Sequence, residues 1–266
     1  MLMTLPLLAT LSLAPGQAGG LTLTEPRLTH GQLGPARGGA KFLPGDTLFL
    51  AFDIEGISAD ADGKAAYSVA TEVTDAGGKS VFRQPPQQSE AVLALGGSQL
   101  PAYARVAIGQ QQAAGEYAVK VTITDLAGKK SQSLTQKFEV LPPDFGLVRL
   151  ATSGDPQGEV PAGLPCPGES LWVSGAVVGF QRGGAAKQPN VTLELRVLDA
   201  DGKPTLARPF GGTINKDVPA NDTALPVQFH VGLNRPGKFT VEVKATDALA
   251  GKTVTQTFPL TVHSIK

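Results

Sequence analysis

Cysteine, tryptophan and tyrosine are scarce in this chain of 266 residues, which contains 1 Cys, 1 Trp and 3 Tyr. A single cysteine excludes an intramolecular disulfide in any compartment, so the fold must be stabilised by packing alone. Cys166 lies between Pro165 and Pro167, far from the N-terminus, which excludes a lipid-anchoring cysteine behind a signal peptide. We expect its side chain to be a small, half-buried apolar group rather than a reactive thiol.

The chain also lacks an excess of charge, because 23 Lys and Arg balance 23 Asp and Glu. A neutral chain has no long-range field to attract nucleic acid or an anionic membrane, and neither is expected as a partner. After the N-terminus, no stretch longer than about 12 residues keeps a helical apolar period. With 32 Gly and 21 Pro, the composition predicts an all-β protein.

The first 13 residues form a short apolar run that is followed by small residues, with an acceptable cleavage site at Gly16-Gln17-Ala18. No Lys or Arg precedes Arg27, so the usual positive start of a signal peptide is missing. The run is shorter than the about 20 apolar residues that cross a bilayer, so no transmembrane anchor is expected. We interpret residues 1–18 as a signal peptide and expect export to the periplasm, the cell envelope or the outside of the cell.

The sequence contains an internal duplication. The segment 115–125, GEYAVKVTITD, recurs as GKFTVEVKATD at 237–247, and FLPGDTLFL at 42–50 recurs as PCPGESLWV at 165–173. The similar offsets indicate a repeated unit of about 120 residues, which is the size of a domain. We therefore predict one domain over 19–141, a short Pro-rich linker at 142–144 and a second domain over 145–266.

Within each unit, runs of five to ten residues alternate apolar and polar side chains, as expected of strands with one face in a core. Asp and Gly pairs between these runs, near Asp75, Asp125, Asp199 and Asp247, predict tight hairpin turns. The count gives about seven strands per unit. The predicted inward-facing residues are Leu48, Leu50, Phe52, Ile54, Tyr117, Val119, Val121 and Ile123, matched by Leu171, Val173, Val177, Phe239, Val241, Val243 and Ala245.

The pattern Gly-x-aromatic-x-Val-x-Val, followed by Asp, a hairpin turn and a strand that ends Phe-x-hydrophobic, resembles the last two strands of bacterial immunoglobulin-like and fibronectin-III-like domains. Pro44-Gly45-Asp46 and Pro167-Gly168-Glu169 also resemble the segment that begins a strand in macroglobulin-like sandwiches. The resemblance implies two tandem immunoglobulin-like antiparallel β-sandwich domains, but it implies almost nothing about function. The cysteine pair and strand-C tryptophan of antibody domains are absent. Tyr117 occupies the place of a tyrosine corner, whereas its counterpart Phe239 has no hydroxyl.

Groups for catalysis or cofactor binding do not converge in the sequence. His30, His230 and His263 lie in different elements, and His30 and His263 lie near the edges of their units, where no functional role is expected. His230 aligns with Ile108 in a strand where it should face solvent. Asp60 and Asp199 begin short acidic clusters, but neither has a Glu at the twelfth position that a calcium loop requires, so Asx turns are favoured over a shared cation. We expect no enzyme activity, no cofactor and no metal site.

Phe49 and Trp172 occupy the same position of the duplicated strand and should point away from the core. They are either contact points for a partner or rings covered by the preceding segments, 30–41 and 152–163, and we favour the covered state. Two long segments, 84–99 and 211–222, are predicted to be loops between the fourth and fifth strands, either tolerated insertions or binding loops.

The interpretation is an exported, non-catalytic binding, adhesion or envelope structural module that is monomeric and binds a protein or glycan ligand. Two alternatives are a carbohydrate-binding accessory protein and a chaperone-like subunit that lends a sheet edge to a client strand. A third is a hydrolase, which would need His230, Asp217 or Asp222, and Ser174 or Cys166 to meet. Their strand positions disfavour it.

Overall fold

The computed structural model describes residues 20–264, and the proposed signal peptide, 1–18, lies outside them. These residues contain 15 strands and no helix, and hence no helix long and apolar enough to cross a membrane. The chain is an all-β protein. Its strands are β1 (Thr22–Thr29), β2 (Lys41–Phe42), β3 (Thr47–Glu55), β4 (Lys64–Asp75), β5 (Ser80–Val92), β6 (Gln99–Ala107), β7 (Gly115–Asp125), β8 (Lys130–Val140), β9 (Gly146–Ser153), β10 (Ser170–Val178), β11 (Val191–Leu198), β12 (Phe210–Ile214), β13 (Ala224–Gly232), β14 (Gly237–Asp247) and β15 (Lys252–Val262).

The strands form two β-sandwiches with the same topology. In the first sandwich, the sheet β1-β3-β6 faces the sheet β2-β8-β7-β4-β5. In the second, β9-β10-β13 faces β15-β14-β11-β12. Apart from β2, each strand of the first sandwich has a counterpart at the same place in the second. Within each sandwich, neighbouring strands pair antiparallel, except that β2 pairs with β8 in parallel.

Each sandwich has its own hydrophobic core, built from alternate residues of its two sheets. The first core draws on residues 21–140 and the second on residues 145–262. The predicted inward-facing residues of β3, β7 and β10 are buried, and so are Val241, Val243 and Ala245 of β14, whereas Phe239 of β14 packs against the core but is only half-buried. Their burial confirms the alternation in the sequence. Among residues 20–264, no buried side-chain nitrogen or oxygen lacks a hydrogen-bond partner.

Most of the segment 84–99 is strand, contrary to the sequence-based expectation of a loop, and only residues 93–98 form a loop. Ser80–Val92 is an edge strand that pairs with β4 along most of its length. The register slips between Gln84 and Gln87, so Pro85 and Pro86 sit at a bulge. A proline has no N–H for a sheet, but an edge strand with a bulge does not need one there. In the second sandwich, Phe210–Ile214 likewise pairs with β11, and only the remainder of 211–222 is a loop.

A buried carboxylate closes the same hairpin in each sandwich. Asp125, at the end of β7, accepts hydrogen bonds from the N–H groups of Ala127 (3.1 Å) and Gly128 (2.9 Å) in its own turn. Its other oxygen accepts the N–H of Ser58 (3.0 Å), which follows β3. Each carboxylate therefore ties the last hairpin of its sandwich to the opposite sheet. Burial raises the pKa of Asp125, but the hydrogen bonds from Gly128, Ser58 and Ala127 outweigh this effect, and the pKa is lowered overall.

Asp247 repeats this arrangement at the end of β14. It accepts the N–H groups of Leu249 (2.9 Å) and Ala250 (3.2 Å) in its turn and that of Gln181 (2.7 Å) after β10. Both aspartates are completely buried. The turn prediction near Asp125 and Asp247 is confirmed, and the third hydrogen bond across the sandwich is the part that the sequence did not indicate.

The tyrosine corner is present in the first sandwich only. The Tyr117 hydroxyl donates to the carbonyl oxygen of Ala113 (2.9 Å) and accepts a hydrogen bond from Gln112 Nε2 (2.7 Å). Its ring stacks on Phe138 at a centroid distance of 5.6 Å. In the second sandwich, Phe239 pairs with Leu260 across the same two strands. The equivalent residues Tyr117 and Phe239 therefore pack differently in the two sandwiches.

Replacement of either buried aspartate by alanine should destabilise its sandwich by about 2 to 4 kcal/mol, because three backbone N–H groups lose their acceptor. Asp60→Ala is the matched control. Asp60 also accepts two turn N–H groups, from Asp62 and Lys64, but it is exposed, and its loss should cost less than about 1 kcal/mol. Urea denaturation followed by circular dichroism measures all three variants. Equal effects of Asp125→Ala and Asp60→Ala would contradict the role of the buried carboxylate.

Candidate functional site

The outer face of the sheet β1-β3-β6 carries an aromatic cluster centred on Phe49. Phe49 lies opposite Arg105 in the β3-β6 register, and the Arg105 guanidinium carbon is 5.8 Å from the centre of the Phe49 ring. Tyr103, on the same strand, lies 6.4 Å away between ring centroids. Phe49 is half-buried, whereas Tyr103 and Arg105 are exposed. The covering groups thus come from the neighbouring strand.

Trp172 is the centre of a similar cluster on the sheet β9-β10-β13. It pairs with His230 of β13, and their ring centroids are 4.7 Å apart. His230 is exposed, and its Nε2 shares a hydrogen bond of 2.8 Å with the hydroxyl of Ser170. Trp172 itself is half-buried. Each sandwich therefore presents a half-exposed aromatic ring beside a nitrogen-bearing side chain at the same position of its three-stranded sheet.

The strand register corrects one alignment made from the sequence. His230 lies opposite Trp172, and Arg105 lies opposite Phe49, so the counterpart of His230 is Arg105 and not Ile108. The expectation that His230 faces solvent is confirmed. Its hydroxyl partner is Ser170, rather than Ser174, which the hydrolase alternative required. Ser170 and His230 form a pair on an open strand face.

The acidic clusters form turns. Asp60 Oδ1 accepts the N–H groups of Asp62 and Lys64, both at 2.9 Å. Asp199 Oδ1 accepts those of Asp201 (3.0 Å) and Lys203 (2.9 Å) in the same way. These are the Asx turns that the sequence favoured. Among residues 20–264, no group of three or more His, Cys, Asp or Glu side chains is placed to hold a metal ion. Cys166 is half-buried, as expected.

The two sandwiches meet at a buried carboxylate. Asp46 precedes β3 in the first sandwich and is 1% exposed. One of its oxygens accepts the N–H of Thr47 (2.8 Å) and that of Arg149 in β9 (2.6 Å). The other accepts from the guanidinium of Arg37 (2.9 Å), whose plane lies over the Phe42 ring. Arg149 has a φ of 54° at the bulge of β9, which directs its N–H out of the sheet toward Asp46.

His30 forms the second polar contact of this junction. Its Nδ1–H donates to the carbonyl of Leu150 (3.1 Å), and its own carbonyl accepts the N–H of Thr152 (3.1 Å). The imidazole lies against the ring of Phe258 in β15, at a centroid distance of 5.3 Å. The pKa of His30 is lowered from 6.5 to about 4, chiefly by burial and to a smaller extent by the charge of Arg37. The hydrogen bond to Leu150 and the charge of Asp46 act in the opposite direction.

The segment after His30 follows the second sandwich closely, and its glycines make this possible. Gly31 has a φ of 90°, and a Cβ at this position would lie 2.9 Å from the carbonyl oxygen of Thr152. A Cβ on Gly34 would collide with the carbonyl oxygen of His30. Gly31 is thus required where the two backbones approach closely, and Gly34 is required where its own segment turns back past His30.

Sequence reasoning missed both junction residues. His30 was expected to be an unremarkable residue at the edge of its unit, whereas it is 2% exposed at the contact. Asp46 had appeared only as the counterpart of Glu169, which instead accepts the N–H of Cys166 within its own sandwich (2.9 Å). A difference between the two repeats in the sequence could have indicated the junction. The Phe258 that meets His30 corresponds to Gln136 in the strand register of the first sandwich.

Comparisons with known proteins do not assign the chain to a family. It matches no protein-family model and no curated protein sequence. Among solved structures, it is similar to the C-terminal domain of the AgI/II polypeptide BspA of Streptococcus agalactiae, with 10% identity over 91% of this chain and 100% of that chain, and a TM-score of 0.30. A second structure, titled BspA_C_WT, has 10% identity over 89% of this chain and 99% of that chain, also with a TM-score of 0.30. These values are too low to transfer fold or function.

The junction should weaken at acid pH. Because the pKa of His30 is lower in the folded protein than in the unfolded chain, its contribution to stability is complete above about pH 6.5, falls as the pH decreases, and is lost near pH 4. Between pH 7 and 4.5, wild-type protein should lose about 2 to 3 kcal/mol more than His30→Asn, which keeps a donor to Leu150 but does not titrate. Urea denaturation at both pH values measures the difference. An equal loss in the two proteins would contradict this role of His30.

Proposed function

We propose that the chain is an exported, non-catalytic binding module of the cell envelope or cell surface, in which two immunoglobulin-like sandwiches present equivalent aromatic surfaces to a protein or glycan ligand. The observation that carries the proposal is the repeated cluster on the three-stranded sheets, Phe49 with Tyr103 and Arg105, and Trp172 with His230. Tyr, Trp and Arg are the residues most enriched at the centres of protein interfaces. Domain boundaries at 19–141 and 145–266 belong to the same proposal.

Rigid presentation supports this function. The carboxylate of Asp46 and the imidazole of His30 hold the backbone of β9, so the two aromatic surfaces belong to one connected structure. A ligand that contacts both would meet a fixed spacing and would lose little flexibility of the protein on binding. An adhesion or structural module requires a fixed arrangement of its domains, because it must carry mechanical load from the ligand at one surface to the rest of the protein.

A carbohydrate ligand is the first alternative, because the part of the half-buried Trp172 indole that is open to solvent can stack on the face of a sugar ring. The second alternative is strand addition at β15. This strand is the outer strand of its sheet and carries no charge between Thr253 and Val262. Pro259 in its middle removes one N–H from the edge, which is a common defence against such pairing. We therefore favour the aromatic faces over the sheet edge.

Binding of the mature chain to isolated cell envelopes should fall at least about tenfold when Phe49 and Trp172 are both replaced by Thr, a residue that suits an exposed strand face. Thr122→Ala with Thr246→Ala, on the exposed faces of β7 and β14, is the control and should bind as wild type does. Co-sedimentation measures binding. Binding that survives protease treatment of the envelopes indicates a glycan. If the double variant binds like wild type, the aromatic faces are not the site.

The proposed export can be tested separately from ligand binding. The full chain, expressed with a C-terminal epitope in a bacterial host, should be recovered outside the cytoplasm and shortened at its N-terminus by about 18 residues, as cleavage at a small-residue site requires. A chain without residues 2–18 should stay in the cytoplasm. Cell fractionation followed by N-terminal sequencing measures both. Cytoplasmic full-length protein with an intact N-terminus would overturn the exported location.

A further inference from the structure

The two sandwiches differ at the same end. In the second sandwich, a cleft of about 420 Å³ opens between the sheets, with Val231, Phe239, Leu260 and Val262 among its lining residues. In the first sandwich, the corresponding space is about 40 Å³ and is lined by Val106, Tyr117, Phe138 and Val140. The strand registers make these two sets equivalent, because Phe239 pairs with Leu260 as Tyr117 pairs with Phe138.

The cleft exists because a phenyl ring that closes the first sandwich, that of Phe138, is missing from the second. Phe138 stacks on Tyr117 and meets Phe42 edge-on at 5.8 Å. Leu260 stands where Phe138 stands. The second sandwich therefore lacks the volume of the Phe138 ring at a place where the fold can accommodate it.

The rim of the cleft carries a cation. Arg235 takes the place of Ala113, and its guanidinium carbon lies 4.7 Å from the centre of the Phe239 ring. Among the described residues, Arg235 forms no ion pair. The other charged lining residue is Asp199, and its Oδ1 is already occupied by the two N–H groups of its turn. A guanidinium offers a planar set of donors that fits a carboxylate.

We propose that the second sandwich binds a small aromatic carboxylate in this cleft, with the ring in the space that Phe138 fills in the first sandwich and the carboxylate on Arg235. The volume lies within the range of small-molecule sites, and the combination of an apolar interior with one convergent polar group is typical of them. Leu206 and Phe210, which are 53% and 43% exposed, form the apolar mouth. The site is independent of the aromatic faces at Phe49 and Trp172.

The test is a titration of the ¹⁵N-labelled mature chain with 3-phenylpropionate, followed by amide chemical shifts, with 3-phenylpropan-1-ol as the uncharged analogue. Saturable shifts should appear at 232–235, 239 and 260–262, with a dissociation constant of about 1 mM or below for the acid and at least about fivefold weaker binding of the alcohol. Arg235→Gln should lower the affinity for the acid to that for the alcohol. Binding of both compounds with equal affinity would overturn the anionic ligand class.

Two variants test the location. Leu260→Phe should fill the cleft with the ring found in the first sandwich and abolish the shifts, whereas Thr255→Phe, which adds the same ring to the exposed face of β15, should leave them unchanged. If Leu260→Phe does not fold, Leu206→Asp serves instead. Its new carboxylate stands at the exposed mouth and should weaken binding of the acid at least about fivefold. Shifts outside the cleft, no saturable shifts, or wild-type binding by folded Leu260→Phe or by Leu206→Asp would overturn the proposal.

Discussion

The arrangement of the whole molecule depends on one buried carboxylate. Asp46 is enclosed between the two sandwiches, where an unpaired charge would be strongly unfavourable. Its partners are the N–H of Thr47, the guanidinium of Arg37 and the N–H of Arg149. The first two belong to its own sandwich, and the third belongs to the next. Separation of the sandwiches would break the hydrogen bond from Arg149 to this carboxylate, so the contact favours a single connected body without any covalent crosslink.

Differences between the repeats carry the specific features of this protein. The common elements, which are the alternating core, the hairpin aspartates and the strand order, build two equivalent scaffolds. Asp46 reaches out of the first scaffold, whereas its counterpart Glu169 caps a turn within the second. Phe138 closes one end of the first, whereas Leu260 leaves that end open in the second. Duplication thus supplies the fold, and substitutions at matched positions supply the junction and the cleft.

Much of the fold could be predicted from the sequence because it follows from local patterns. Alternation gave the inward faces of β3, β7, β10 and β14, and Asp-Gly pairs gave the hairpins. Edge strand β5 escaped prediction because it is exposed on both faces and contains Pro85 and Pro86, so that neither alternation nor composition marks it as a strand. The placement of Phe49 and Trp172 off the core followed from the period of two, whereas their cover by His230 and Arg105 required the register. The junction could not be predicted, because the partners of His30 and Asp46 in the second sandwich lie more than one hundred residues away in the chain.

The central claim, that the buried contacts of Asp46 and His30 make the two sandwiches one body, is tested most directly by ¹⁵N relaxation of the chain from residue 19 to residue 266. Amides of β7 and β14 should fit a single, shared rotational diffusion tensor, with the correlation time of a particle of the full mass. Two separate tensors, each with the shorter correlation time of a domain of about 120 residues, would mean that the sandwiches tumble independently and would contradict the account.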